Sequence, residues 1–196
     1  MIVLASASRT RATLLQQAGV AVVRDAARID ENEIKAMNRR RGLEAGVAAM
    51  ALAEAKALTV AARHPGALVI GADQILNYEG TWLDKPTGRA DARAQIALLR
   101  GKGHELATAL CVARDSNVIW HDLHRPRLTM RAFDDAFLDA YIQGLTREDM
   151  GAVGAYRLEG PGIQLFERIE GDYFAILGLP LLGLLEFLRG HGALPG

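Results

Sequence analysis

Three cations, Arg11, Lys56 and Lys85, and three carboxylates, Glu31, Asp73 and Glu159, stand where apolar segments of this 196-residue chain stop or where glycines cluster. Three cations suit a polyphosphate. Three carboxylates suit a divalent metal, because hard oxygen ligands together with substrate phosphates are what Mg²⁺ prefers. The two sets combined suit phosphoanhydride hydrolysis, in which catalysis is mostly charge neutralisation and in-line positioning of water. Each residue alone also has a plainer reading. Asp73 after a strand could cap a turn, Lys56 could be a solvated helix lysine, Lys85-Pro86 could be a simple turn, and Glu31 could belong to a solvated acidic loop. Glu159 lies between Gly154 and Gly160, where glycines let a ligand approach the backbone closely. His104 is a candidate general base, although a lone histidine at a strand start is more often structural.

The elements that must position these groups follow from the apolar pattern. Ile2 to Ala5 reads as a short buried strand, and Leu14, Leu15 and Ala18 fall on one face of a helix that Gly19 ends. Ser6, Ser8, Arg9, Thr10 and Arg11 therefore sit at a strand-to-helix junction. Unpaired N–H groups and the positive end of the helix dipole favour an anion there, and a serine N-cap flanked by two solvated arginines is the local alternative. A polar loop carries Asp30, Glu31 and Glu33. Glu44 to Arg63, rich in Ala and Leu and free of Pro, reads as a helix bearing Lys56. The stretch ALVIGAD, Ala67 to Asp73, reads as a buried strand that delivers a carboxylate at its C-terminal end, where α/β folds bind their ligands. A hairpin turning at Glu79-Gly80 leads to Lys85, and Arg89 to Arg100 forms an amphipathic helix.

Beyond it, Glu105 to Ala113 and Asn117 to Trp120 pair as strands across Arg114-Asp115-Ser116. Arg127 to Ala132 is a further strand and Asp134 to Gln143 a helix. VGAYRLEGPG leads into a strand in IQLFERI. The apolar region from Tyr173 to Leu188 is too short and too often broken for a membrane span, and reads as a strand followed by a core helix. Alternating strands and helices give an α/β class, with two lobes around one sheet and a cleft between them. The length allows a single domain over 1–196.

Bulk properties remove several function classes. Lys plus Arg number 23 and Asp plus Glu also 23, so the balanced charge argues against an extended nucleic-acid or membrane surface while permitting a local basic pocket. The opening MIVLASAS lacks the basic n-region and long apolar stretch of a signal peptide. Cys111, the sole cysteine, lies in the apolar run ALCVA, as expected for a core thiol in a reducing cytoplasm. No zinc spacing, phosphate loop of the GxxxxGK[ST] type or GxSxG elbow occurs. An aspartyl-phosphatase reading of Asp73 lacks the usual acid two residues on, where Ile75 stands.

The ordered motifs LASASRTRATLL, AEAKA, GADQIL, DKP, VGAYRLEGPG and GDYFAILGLPLLGLLEFLR together resemble the Maf family, the septum-inhibitor-like nucleoside triphosphate pyrophosphatases, over essentially the whole chain. The resemblance implies a mixed twisted sheet in two lobes around a deep cleft, of the Maf and inosine-triphosphatase type, often as a homodimer. It implies hydrolysis of a nucleoside triphosphate to monophosphate and pyrophosphate with a divalent cation, Mg²⁺ or Mn²⁺, clearing non-standard or modified nucleotides. By the same resemblance Ser8 and Arg11 hold phosphate, Lys56 and Lys85 neutralise the triphosphate, Glu31 helps hold metal, and Asp73 is the catalytic carboxylate, as metal ligand or as base for the attacking water. Gln74 and Glu159 stand where the dTTP/UTP-cleaving branch has Thr and Gln. They look more like the branch acting on 7-methyl-GTP, and a carboxylate suits a guanine edge with paired N–H donors. Arg9 replaces the family's usual Pro, and Thr10 replaces the Trp usual in the 7-methyl-GTP branch. A nucleotide-binding regulator of cell division with little catalysis is the alternative that the family's association with septum formation suggests.

Overall fold

Strands and helices alternate through most of the computed structural model, which describes residues 1–195. The order is β1 (Ile2–Leu4), α1 (Arg9–Gln17), β2 (Val23–Arg24), α2 (Glu31–Arg40), α3 (Ala45–Ala61), β3 (Leu68–Tyr78), β4 (Thr81–Leu83), α4 (Arg89–Leu99), β5 (Gly103–Arg114), β6 (Asn117–His124), β7 (Arg127–Met130), α5 (Asp135–Gly144), α6 (Arg147–Met150), β8 (Phe166–Glu170), α7 (Tyr173–Ile176) and α8 (Leu181–Gly190). Two 3₁₀ turns, Val153–Ala155 and Pro161–Leu165, precede β8. The strands form a mixed sheet in the order β2-β1-β3-β5-β7-β8, with β4 on β3 and β6 on β5. Strand β1 runs parallel to both β2 and β3, whereas the β3–β4, β5–β6, β5–β7 and β7–β8 pairs are antiparallel. The mixed α/β class expected from the sequence is the one the chain builds. Among the described residues no helix is long and apolar enough to cross a membrane.

The chain divides into two compact units. The first holds Met1–Gln74, Thr108–His124 and the segment from Asp172 onward; the second holds Ile75–Ala107 and Arg125–Gly171. In the first, Leu4, Ile70, Ala72, Leu110 and Val112 from the strands meet Leu14 and Leu15 of α1 and Leu184 and Leu188 of α8 in one apolar cluster. Cys111 is fully buried in β5, and burial pushes its thiol up to about 12. In the second unit His104 is buried, with Nε2 at 2.6 Å from the Tyr156 hydroxyl, and the Tyr156 ring meets Phe166 edge-on at 4.8 Å. His104 thus sits inside this unit, packed against Tyr156 and Phe166.

Two expectations are corrected. The acidic stretch after Asp30 is helix α2, not a loop: the Asp30 side chain caps it by accepting from the Glu33 N–H at 2.9 Å, and Asn38 is its one buried residue among those described, so no apolar stripe announces it. The segment after Asp172 opens with the short helix α7 rather than a strand, because Asp172 caps it by accepting from Ala175 N–H at 2.8 Å.

The tightest packing lies between α3 and β3. Helix α3 faces the strand with Ala53 and Ala57, and opposite them β3 carries Gly71, where an added Cβ would stand 2.1 Å from the Ala53 carbonyl oxygen and 2.8 Å from Ala57 Cβ. Glycine is required here by distance, not by backbone angle. Replacement by alanine forces the helix off the strand. Overpacking of this kind commonly costs about 1–3 kcal/mol and sometimes more, so Gly71→Ala is expected at or above the top of that range, read as a lowered urea midpoint.

Stability also depends on pH through His104. Burial holds its pKa down at about 4, against 6.5 ordinarily. The imidazole is thus neutral in the native state, and its contribution is fully present above the unfolded value and lost as pH falls toward the folded one. Between pH 6.5 and 5 the loss should be about 1.5 kcal/mol, the slope steepening toward roughly 1.4 kcal/mol per pH unit as the unfolded histidine becomes fully protonated. Urea unfolding at several pH values should show this slope in the wild type and a flatter one in His104→Gln.

Candidate active site

In the first unit one lysine joins two acids. Lys56 Nζ lies 2.5 Å from Asp73 Oδ1 and 2.8 Å from Glu31 Oε1. Geometry of the elements explains the meeting. Side chains two apart on a strand share a face, so Asp73 points to the side on which Gly71 receives α3. Lys56 precedes Ala57, which touches that glycine position, and Glu31 opens α2, the first residue after its cap. Lys56 is 8% exposed and Asp73 6%, whereas the Glu31 side chain is about half exposed. The lysine is an interior cation, not a solvated one.

Asp73 itself lies inside β3 rather than at its end, because the strand continues to Tyr78 and turns back into β4. A carboxylate in the middle of a buried strand demands a counter-charge, and Lys56 supplies it.

The opening junction is built around Arg11. Ser8 is the N-cap of α1 and its Oγ accepts the Arg11 N–H at 3.3 Å, so the capping alternative describes Ser8 correctly. Arg11 is not a solvated arginine. Its Nη1 donates to the Ala72 carbonyl at 2.8 Å and to Ser6 Oγ at 3.3 Å, and its Nε donates to the Gly178 carbonyl at 2.8 Å. Burial lowers its pKa from the usual value, and the nearby charges of Asp73 and Glu31 oppose that shift. The guanidinium therefore belongs to the same electrostatic neighbourhood as the Lys56 pair. Ser6, placed at this junction by the sequence, also accepts the Ser8 N–H at 3.2 Å, and its buried hydroxyl ties the loop to Arg11.

Gln74 points away from this group, as the residue next to Asp73 on a strand must. Its Nε2 donates to Thr108 Oγ1 at 2.8 Å, to the Ala175 carbonyl at 2.9 Å and to the Ile176 carbonyl at 3.1 Å. Thr108, fully buried, is a residue that the sequence did not announce. Lys85 and Glu159 belong to the second unit and are exposed there. The turn bearing Glu159 is tied down by its neighbour Arg157, which donates to Asp149 at 2.8 Å and to Glu148 at 3.0 Å.

For a divalent cation the donor set is small. Among the described residues no three His, Cys, Asp or Glu side chains form a metal-holding cluster. Glu31 and Asp73, converging on one point now held by Lys56, are two hard oxygen donors. That number fits Mg²⁺ bound through one or two carboxylates with substrate phosphates and water completing the shell.

Comparison with known proteins covers nearly the whole chain. A family model described as Maf-like protein matches residues 1–191. A nucleoside triphosphate pyrophosphatase of Paramagnetospirillum magneticum is 49% identical over 97% of this chain and 98% of its own length. One of the same description from Rhodospirillum rubrum is also 49% identical, over 98% of this chain and 96% of its own. A 7-methyl-GTP pyrophosphatase of Rhizobium johnstonii is 43% identical over 100% of this chain and 98% of its own.

The Lys56–Asp73 pair has an energetic signature that separates it from a surface bridge. Removing one partner of a buried pair leaves an uncompensated charge and typically costs about 3–5 kcal/mol, whereas replacing both by apolar residues is often neutral. Lys56→Met alone should therefore destabilise the protein by about that amount, and Lys56→Met with Asp73→Leu should regain most of it. Glu31→Gln should cost under about 1 kcal/mol, since its partner is shared and its side chain half exposed. Urea unfolding of the four proteins checks the order.

Proposed function

The chain belongs to the Maf family, and on that premise we propose that it is a nucleoside triphosphate pyrophosphatase, cleaving its substrate to nucleoside monophosphate and pyrophosphate. The observation that supports this reading most directly is the buried lysine, Lys56, held between Glu31 and Asp73. Two carboxylates and a lysine at one point are what a reaction needs when negative charge must be both bound and moved.

Water attack at the α-phosphorus distinguishes pyrophosphate release from ordinary phosphatase action, and the roles divide accordingly. A divalent metal, Mg²⁺ or Mn²⁺, supplies charge neutralisation and a more acidic bound water. Glu31 and Asp73 are the residues that would hold it. Asp73 takes the proton of the attacking water or orients that water through its carboxylate. Lys56, which stands beside both carboxylates, would offer its ammonium to phosphate oxygens. Arg11 and the N–H groups at the start of α1 bind phosphate, the position where a helix dipole favours an anion. Lys85 adds a further cation for the polyphosphate, and Glu159 accepts hydrogen bonds from the base.

Base preference leans to 7-methyl-GTP over dTTP and UTP. Glu159 supports it, because a carboxylate accepts from a guanine edge with paired N–H donors. The 7-methyl-GTP pyrophosphatase of Rhizobium johnstonii lends support at 43% identity. The enzyme clears modified or non-standard nucleotides in the cytoplasm, where the lone buried Cys111 stays reduced, and acts as a homodimer like the family it resembles.

Pyrophosphate release from dTTP, UTP, CTP, GTP and 7-methyl-GTP, with Mg²⁺ or Mn²⁺ and then with chelator, tests this reading. Turnover is expected for a subset of nucleotides, highest for 7-methyl-GTP, and lost with chelator. Asp73→Asn should lower kcat by at least about 100-fold, the scale of a lost acid–base group, while still melting cooperatively. A nucleotide that binds without turning over in any metal would instead make the protein a nucleotide-binding regulator.

A further inference from the structure

Three consecutive residues of β3 hold three different parts of the first unit. The Ala72 carbonyl accepts from Arg11 Nη1, the Asp73 side chain pairs with Lys56, and the Gln74 side chain donates to the turn that ends α7. That turn runs from Ala175 to Gly178, and it returns to the site. Its Gly178 carbonyl accepts from Arg11 Nε at 2.8 Å. The backbone at Gly178 has φ +91°, and a Cβ there would lie 3.4 Å from Arg11 Nε and 3.5 Å from Nη2. The guanidinium is therefore packed directly on this turn, and its orientation follows where the turn sits.

What fixes the turn is Gln74. Its amide nitrogen engages both the Ala175 and the Ile176 carbonyl, and Thr108 Oγ1, while accepting from Gln74, donates its own proton to the Ala175 carbonyl at 2.9 Å. Oxygen acceptors on all three sides settle which end of the amide points inward. The amide nitrogen has only two hydrogens to share among three acceptors. A shorter β-branched side chain at 74 could not span this set.

We propose that Gln74 is a positioning residue that orients Arg11 through the Ala175–Gly178 turn, and not a contact to the base. The proposal rests on the reading of the chain as a nucleoside triphosphate pyrophosphatase in which Arg11 binds phosphate. It gives residue 74 a role on the phosphate side of the substrate, which all nucleoside triphosphates share.

A base contact and a positioning residue leave different kinetic marks. Gln74→Leu removes the donors at similar size. If it acts through Arg11, kcat should fall roughly tenfold or more with every nucleotide, as small misplacements of binding groups do, while the ratios of kcat/KM between 7-methyl-GTP, GTP and UTP stay within about twofold of wild type. Thr108→Val should reproduce the loss and Thr108→Ser, which keeps the hydroxyl, should restore turnover. In an Arg11→Ala background Gln74→Leu should add less than about threefold, the non-additivity expected of residues acting along one route.

A shift of the nucleotide ratios by Gln74→Leu beyond about fivefold would mark a base contact and overturn the proposal. So would a full tenfold loss persisting in the Arg11→Ala background, or an unimpaired Gln74→Leu beside an impaired Arg11→Ala. In those three cases the pyrophosphatase reading stands. An Arg11→Ala protein as active as wild type removes the phosphate role of Arg11 and the proposal together, and a wild type that turns over none of the nucleotides removes the function as well. Should Gln74→Leu not melt cooperatively, the Thr108 pair carries the same comparison.

Discussion

The close approach of α3 to β3 at Gly71 is the constraint on which the rest of the first unit depends. A lysine side chain reaches far, but an interior ion pair tolerates little slack, since each charge has given up its water. Here the helix is brought down by alanines on one side and the absence of a side chain on the other, and Lys56 and Asp73 meet because their backbones are already placed. The Ala-rich composition of α3 thus serves two ends. It favours the helix, and it lets that helix come close enough for its one buried lysine to stand beside a strand carboxylate.

A strand interior is an unusual place for an acid, and the neighbours of Asp73 show how the cost is spread. The charge is met by Lys56 and sensed by Arg11, while the adjoining backbone is gripped through Ala72 and the following side chain through Thr108 and the α7 turn. No rotation of β3 about its axis could move Asp73 without breaking bonds on both faces of the strand. Preorganisation of this kind holds charges where they are needed before any substrate arrives.

How much of this was legible beforehand depended on whether a local pattern carried it. Helix α3 was readable from Ala and Leu content, the β3–β4 turn from Glu79-Gly80, and the mixed α/β class from alternation. Helix α2 was not, because its charged faces give no stripe, though Asp30 followed three residues later by Glu33 carried a cap signal. Asp73 looked like the end of a strand because acids usually mark ends, and the lysine that lets it sit inside is 17 residues away on another element. The direction of Gln74 was implicit in strand alternation, but its partners at Thr108, Ala175 and Ile176 come from distant parts of the chain. Composition and period reveal elements; they do not reveal which distant groups satisfy a buried polar atom.

Cys111 completes the description in a different way. It is the chain's one cysteine, fully buried in β5, with its thiol held in the protonated form far above neutral pH. The reactive species toward electrophiles is the thiolate, so the native state withholds it twice, by exclusion and by charge. Any reagent that modifies this sulfur must wait for β5 to come away from its neighbours. The molecule thus carries an internal clock for the opening of its central sheet, readable without introducing a label or altering a residue.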